Sequence, residues 1–371
     1  MFHLARQMEK RGWLEAIFTT YPRFKLRDEV GIPPEKVHCN WIVDTAMIAG
    51  GRFGLPLDRI AMLDQFRVWQ HDQWLKPRAV SCEAFVALSG TGGVSGPIAQ
   101  KAGARWFCDR GSTHHRWQIR TLKEEFARWG LEMPPAWGSR TERECEEYEG
   151  ADFIVVPSHF VRRTFIEEGV APDKVAVVPY GANLSRFRPA ASPSVDEFVI
   201  LFVGHFSIRK GALYLLDAFM RFRHPRKRLK IIGDVQRELK PLLSKYDLAK
   251  VDFLGAVSNA DLAMHYSSAN LFALPSIEEG LAMVMGEALA CGTPVVATVN
   301  AGAEDLFCDA REGFIVPPRD VGALVERFEL LAGDPDLCDE MGHAALARVS
   351  SLGGWDTYGA TYAALLDDVL V

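Results

Sequence analysis

Apolar positions along the chain follow two alternating rhythms, short unbroken runs rich in Val, Ile, Leu and Phe and longer stretches with helical spacing. In the second half the short runs fall at residues 198–203, 229–232, 251–254, 271–275 and 294–298, with helical stretches between them. Continuous apolar runs alternating with helices predict a parallel sheet covered on both faces. The first half repeats this less regularly. Residues 14–20, 80–88, 105–109, 153–157 and 175–178 read as strands, and residues 60–74, 97–102, 142–149 and the stretches opening at Trp117 and Ser158 as helices. Residues 1–12 have helical spacing, with Phe2, Leu4 and Met8 apolar. Between the halves, Arg188-Pro189-Ala190-Ala191-Ser192-Pro193-Ser194 reads as a linker, because a fresh buried strand follows at once. Two α/β units are therefore predicted, 1–188 and 196–354, followed by a last helix over 355–371.

Composition narrows the class. A chain of 371 residues with 48% hydrophobic content can bury two cores. The net charge of −6 excludes the strongly basic footprint of a nucleic-acid binder. No apolar run approaches the ~18–20 residues of a membrane span, and the N-terminus lacks a secretory pattern, so a cytoplasmic protein is expected. Seven scattered cysteines without a C-x-x-C pair read as buried small apolar residues, and neither disulfides nor a metal site is expected. Residues 221–230 concentrate basic side chains; they read as a solvated loop, with contact to an anionic membrane as the alternative.

The stretch that carries chemistry is residues 276–305, SIEEGLAMVMGEALACGTPVVATVNAGAED. It reads as a loop, a helix of about three turns stopped by Gly292, a buried strand and a second glycine loop. Glu279 at the helix entrance and Glu287 eight residues on would stand ~12 Å apart on neighbouring faces. Between them Gly280, Leu281 and Ala282 would offer unpaired N–H groups at a positive helix end, a seat for phosphate. An anion in the middle with hydroxyl partners at each end describes a nucleotide sugar. Carboxylates suit sugar hydroxyls because they accept without donating, at about 1.5–3 kcal/mol per bond. The bland alternative is an amphipathic helix with a dipole partner at Glu279 and a solvated charge at Glu287.

Glu279, Gly280 and Glu287, followed by Ala288-Leu289-Ala290-Cys291-Gly292-Thr293-Pro294-Val295-Val296, resemble the E-x7-E signature of GT-B retaining glycosyltransferases of family 4, glycosyl transferases group 1. The resemblance implies two facing Rossmann-like domains with a cleft between them, the acceptor on the first and the nucleotide sugar on the second. It implies hexose transfer with retention, no metal and no cofactor, the first Glu on the hexose and the second on the ribose. It also implies that the last helix packs back on the first domain. Residues 179–187 resemble the family's crossover segment, with Ala182 and Asn183 in place of Val and Asp. Family members begin with a strand and a glycine-rich loop, so the N-terminal sheet is expected to lack its first strand, with Met1 an internal start.

Other positions follow from the same resemblance. Gly204, His205, Arg209 and Lys210 lie between a strand and a helix where the family has phosphate contacts; Lys210 matches the Lys, His205 replaces the Arg, and Arg209 is the substitute. His114 is the expected histidine near the donor sugar, with His115 second. Asp109 is a weaker sugar contact, open to a local ion pair with Arg110, and Glu304 an acidic residue that orients its loop. The loop 89–96 fails the G-x-G-x-x-G test at Ser95 and reads as a place of close ligand approach rather than a dinucleotide site. The expected acceptor is a saccharide or lipid-linked hydroxyl, with peripheral contact to the inner membrane face. Two rival readings remain, a catalytically silent nucleotide binder and a nucleotide-sugar epimerase.

Overall fold

The computed structural model describes residues 1–41, 44, 57–78, 82–181, 186–194 and 196–370. Expectations resting on Val80 and on residues 182–185 of the crossover segment lie outside these.

The first half opens with the helix Phe2–Glu9 and two short strands, β1 (Ile17–Thr19) and β2 (Val37–Cys39), which pair in parallel as a sheet of their own. After the helix Leu57–Leu75 come β3 (Ala84–Leu88), β4 (Arg105–Asp109), β5 (Phe153–Val156) and β6 (Val175–Val177), a four-stranded parallel sheet in that order. Among the described residues no strand joins the two sheets. The second half is a six-stranded parallel sheet made of β7 (Phe198–Val203), β8 (Lys227–Ile232), β9 (Val251–Gly255), β10 (Leu271–Leu274), β11 (Val295–Thr298) and β12 (Gly313–Val316). Its order, β12-β11-β10-β7-β8-β9, switches direction between β10 and β7. Ligands in open α/β sheets gather beyond the carboxyl ends at such a switch point.

Continuous apolar runs became central strands because both faces are covered: all six residues of β7 and all four of β10 and β11 are buried. The helix Trp355–Leu370 returns to the first domain, where Tyr358, Tyr362 and Leu366 pack with Leu4, Met8, Phe107 and Val155. Helix His115–Arg128 ties the halves together, since its fully buried Glu125 accepts from the Tyr214 hydroxyl (2.7 Å) and Arg319 Nε (2.6 Å). Among the described residues no helix is long and apolar enough to cross a membrane.

Two local expectations change. The loop 89–96 is not left open for a ligand: Gly90 and Gly92 N–H donate to the Glu147 carboxylate at 2.6 and 3.2 Å, and Val94 and Ser95 N–H to Asp72 at 2.8 and 2.9 Å. The protein's own carboxylates occupy the anion seat. In the basic run 221–230, Lys227 Nζ donates to the carbonyls of Phe219 (2.6 Å) and Phe222 (2.7 Å) at a helix end, and Arg228 pairs with Asp252. These two cations are satisfied internally.

Candidate active site

The loop that follows β7 carries the cations. Gly204 has a positive φ of 136°, and a side chain built there would meet nothing within 4 Å, while its carbonyl is packed against Gly233. His205 is exposed, its Nδ1 3.4 Å from Gln236 Nε2. Further on, Gly211 takes φ 69° to open the helix Ala212–Arg221; a Cβ there would lie 1.9 Å from the Pro275 carbonyl, so the cation loop is pressed against the end of β10. That contact delivers Arg209 and Lys210 to the acidic loop after β10.

There the structure differs from the sequence expectation. The helix starts at Met283, not near Glu279, so Glu279, Gly280 and Leu281 belong to the loop that precedes it. Ala282 is its N-cap, and its N–H donates to the Ala301 carbonyl at 3.2 Å rather than standing free. The non-helical stretch stems from packing: a Cβ on Gly280 would sit 2.0 Å from the Gly111 carbonyl of the first domain, and the Gly280 carbonyl accepts from Ser158 Oγ at 2.7 Å. Tertiary contact, not propensity, delays the helix.

Glu279 stands between both cations. Its Oε1 accepts from Arg209 Nη2 at 3.2 Å, and its Oε2 forms an ion pair with Lys210 Nζ. Glu287, on the helix, accepts from the buried Tyr266 hydroxyl at 2.9 Å, and burial raises its carboxyl above the ordinary range.

Glu278, next to Glu279, carries no signal in the sequence but is central to the site. It is fully buried and accepts from Ser112 Oγ (2.6 Å), Thr113 Oγ1 (2.6 Å), Thr113 N–H (3.2 Å), Gln118 Nε2 (2.9 Å) and Arg209 Nε (2.7 Å). Burial alone would raise its carboxyl; Arg209 and the hydroxyl donors outweigh that and hold it at about 2. A depressed carboxyl stabilises the fold above its ordinary value of 4.5 and loses that contribution as pH falls toward 2. The stability gap between wild type and Glu278→Gln, read from urea unfolding, is therefore expected to shrink by on the order of 3 kcal/mol between pH 5 and pH 2. Glu147 has the opposite sign: burial lifts it to about 7, so its contribution declines as pH rises from 4.5 to 7.

Both histidines sit against first-domain side chains. His114 is the N-cap residue of the helix His115–Arg128, and its ring packs against Tyr148 and Phe165 at 5.0 and 4.9 Å, inside the first domain. Burial lowers its pKa to about 4. His115 shares Nδ1 with Thr141 Oγ1 at 2.9 Å and faces Glu144. Among the described residues neither ring hydrogen-bonds to the second domain; Ser112 and Thr113 of the same loop do. Asp109, at the end of β4, is buried near Tyr180, Tyr358 and Tyr362, and burial raises it to about 6. Arg110 pairs with Glu144 at 2.6 Å, not with Asp109, and donates to the Thr113 carbonyl at 3.0 Å. Glu304 pairs with Arg163 of the first domain, beside an Asp305–His159 contact, so it fastens the domains together.

Comparison with known proteins places this arrangement. Residues 1–186, half of the chain, match the family described as Glycosyltransferase Family 4, and residues 185–348 match Glycosyl transferases group 1. The chain belongs to glycosyltransferase family 4. It is 34% identical over 215 residues to a D-inositol 3-phosphate glycosyltransferase of Streptomyces scabiei, covering 52% of this chain and 48% of that one. It is 29% identical over 306 residues to the protein of the same name from Kineococcus radiotolerans, covering 74% and 68%. The chain thus spans about half the length of most curated relatives it matches. Among solved structures, sucrose-phosphate synthase from Thermosynechococcus elongatus superposes with a TM-score of 0.73 at 22% identity, over 99% of this chain and 91% of that one. Anabaena Alr3699/HepE in complex with UDP gives 0.70 at 17%, over 99% and 96%. These structural likenesses establish the GT-B fold, two Rossmann-like domains facing across a cleft.

Proposed function

We propose that this chain transfers a hexose from a nucleoside-diphosphate sugar to a hydroxyl of a saccharide or lipid-linked acceptor, with retention at the anomeric carbon. The observation that carries the reading is Glu279 held between Arg209 and Lys210 of the loop that follows β7. Family membership supports transferase chemistry, and Alr3699/HepE has been solved with UDP and with UDP-glucose.

In this reading the diphosphate takes Lys210 and one face of Arg209, because a phosphate outcompetes a single carboxylate for an ammonium when it brings more charge. Displaced from Lys210, Glu279 turns its oxygens to the hexose hydroxyls, while Glu287, steadied by Tyr266, accepts from the ribose. As the sugar bond breaks, the two cations stabilise charge growing on the leaving diphosphate, where preorganised charge helps most. They supply the positive charge that a metal would otherwise bring, so no metal is required. Attack from the same face as the leaving group is the expected route.

The test is incubation with nucleotide sugars and acceptor glycosides, with product anomers read by NMR. A product of retained configuration, formed at an unchanged rate in excess EDTA, is expected; an inverted product or loss of activity on chelation contradicts this reading. Epimerised donor without transfer would point instead to an epimerase.

A further inference from the structure

Glu278 does more than Glu279's neighbour needs to do. A buried carboxylate is costly, and it persists where all its acceptor positions are filled. Here the donors come from both sides of the cleft. Oε1 is taken by Ser112 and Thr113 of the first domain alone, whereas Oε2 is shared between Gln118 of the first domain and Arg209 of the second. Arg209 is gripped at Nε by Glu278, while its Nη2 reaches Ser112 and Glu279. The guanidinium plane is therefore set by Glu278 and by a loop of the opposite domain. Separating the domains would exchange the Ser112, Thr113 and Gln118 donors for water and leave Arg209 as the protein partner that still holds the carboxylate.

We propose that Glu278 is a positioning residue that fixes the Arg209 guanidinium toward the donor diphosphate only while the Ser112–Thr113 loop is docked against it. This rests on the reading of Arg209 and Lys210 as diphosphate partners. Charge in the cluster is balanced before donor binds, two cations against Glu278 and Glu279. Glu278 is the partner that stays when a diphosphate arrives, because its oxygens are also held by hydroxyl and amide donors that a phosphate cannot replace. Glu279 is the partner that is released. A correctly placed Arg209 thus coincides with a closed cleft, and hydrolysis of donor by water is disfavoured in the open form.

The experiment uses the full chain, with UDP, GDP and ADP as binding probes and their glucose conjugates as donors. In Glu278→Gln, kcat is expected to fall roughly 100-fold while donor KM stays within about 3-fold, since the loss falls on transition-state charge rather than on ground-state binding. Hydrogen exchange of the 110–118 backbone is expected to accelerate. Ser112→Ala, a smaller change that leaves the carboxylate in place, is expected to give the same pattern with about a 10-fold fall in kcat, and it decides the matter if Glu278→Gln does not fold. Turnover unchanged in a folded variant, or a rise in KM with kcat intact, overturns the inference and leaves the donor reading standing. Wild type that binds none of the three diphosphates overturns both.

Discussion

Glu279→Gln is expected to lower sugar transfer by roughly 100- to 1000-fold while leaving nucleoside-diphosphate affinity unchanged or slightly tighter. The direction follows from the charges. In the wild type Glu279 neutralises Lys210 and part of Arg209, so the amide frees both cations for the diphosphate even as it removes the acceptor for the hexose hydroxyls. Glu287→Gln should behave oppositely. Its carboxylate lies on the helix beside Tyr266, away from both cations, and loss of a charge-assisted bond to a ribose hydroxyl is expected to weaken the nucleotide about 10-fold. Titration of both variants with the diphosphate, alongside single-turnover rates, separates the two roles. Equal loss of nucleotide affinity in both would remove the division of labour.

Gly280→Ala has the largest expected structural effect. The added methyl would stand 2.0 Å from the Gly111 carbonyl oxygen and 3.3 Å from Pro157 Cγ, and both belong to the other domain. A backbone carbonyl cannot swing aside as a long side chain can, so the domains must part. Parting would strain the Ser158–Gly280 bond and the donor set of Glu278 together. Each sheet keeps its own core, and far-UV circular dichroism is expected to stay as in wild type. Transfer is expected to fall by more than about 100-fold, because misplacing reacting groups by about 1 Å already costs that much. Small-angle scattering should show a larger radius of gyration. Wild-type turnover in this variant would mean that the cleft does not work in the closed form seen here.

Much of the fold was legible because its signal is local. Unbroken apolar runs such as 198–203 and 271–274 can only be central strands in a two-faced layer, and they were placed within a residue or two. The acidic signature was legible for the same reason, since Glu279 and Glu287 sit in one continuous stretch. What the stretch could not reveal was where its helix begins. Gly280 is packed against Gly111, some 170 residues earlier in the chain, and no local propensity reports that contact.

The same limit explains Glu278 and the histidines. Glu278 and Glu279 are neighbours that share Arg209, but Glu278's other donors, Ser112, Thr113 and Gln118, come from the first domain, and nothing local in the sequence reports them. His114 drew attention as a titratable group at a strand's carboxyl end. Yet as the N-cap of the following helix its ring turns into the Tyr148–Phe165 pocket, while the less conspicuous Ser112 and Thr113 turn outward. In the loop 89–96 the glycines suggested close approach of a ligand, but the groups that approach, Glu147 and Asp72, are the protein's own side chains, distant in sequence. A seat and its occupant are separate questions, and only the first is written locally.

The most direct measurement is calorimetric titration of the purified full chain with UDP, GDP and ADP and with their common sugar conjugates, followed by product analysis on whichever binds. Selective binding of one diphosphate, lost in Lys210→Ala and retained in Glu279→Gln, with sugar released from its conjugate onto an acceptor, is the expected result. Absence of binding to all three, or binding that Lys210→Ala leaves untouched, would contradict a donor site built on Arg209, Lys210 and Glu279.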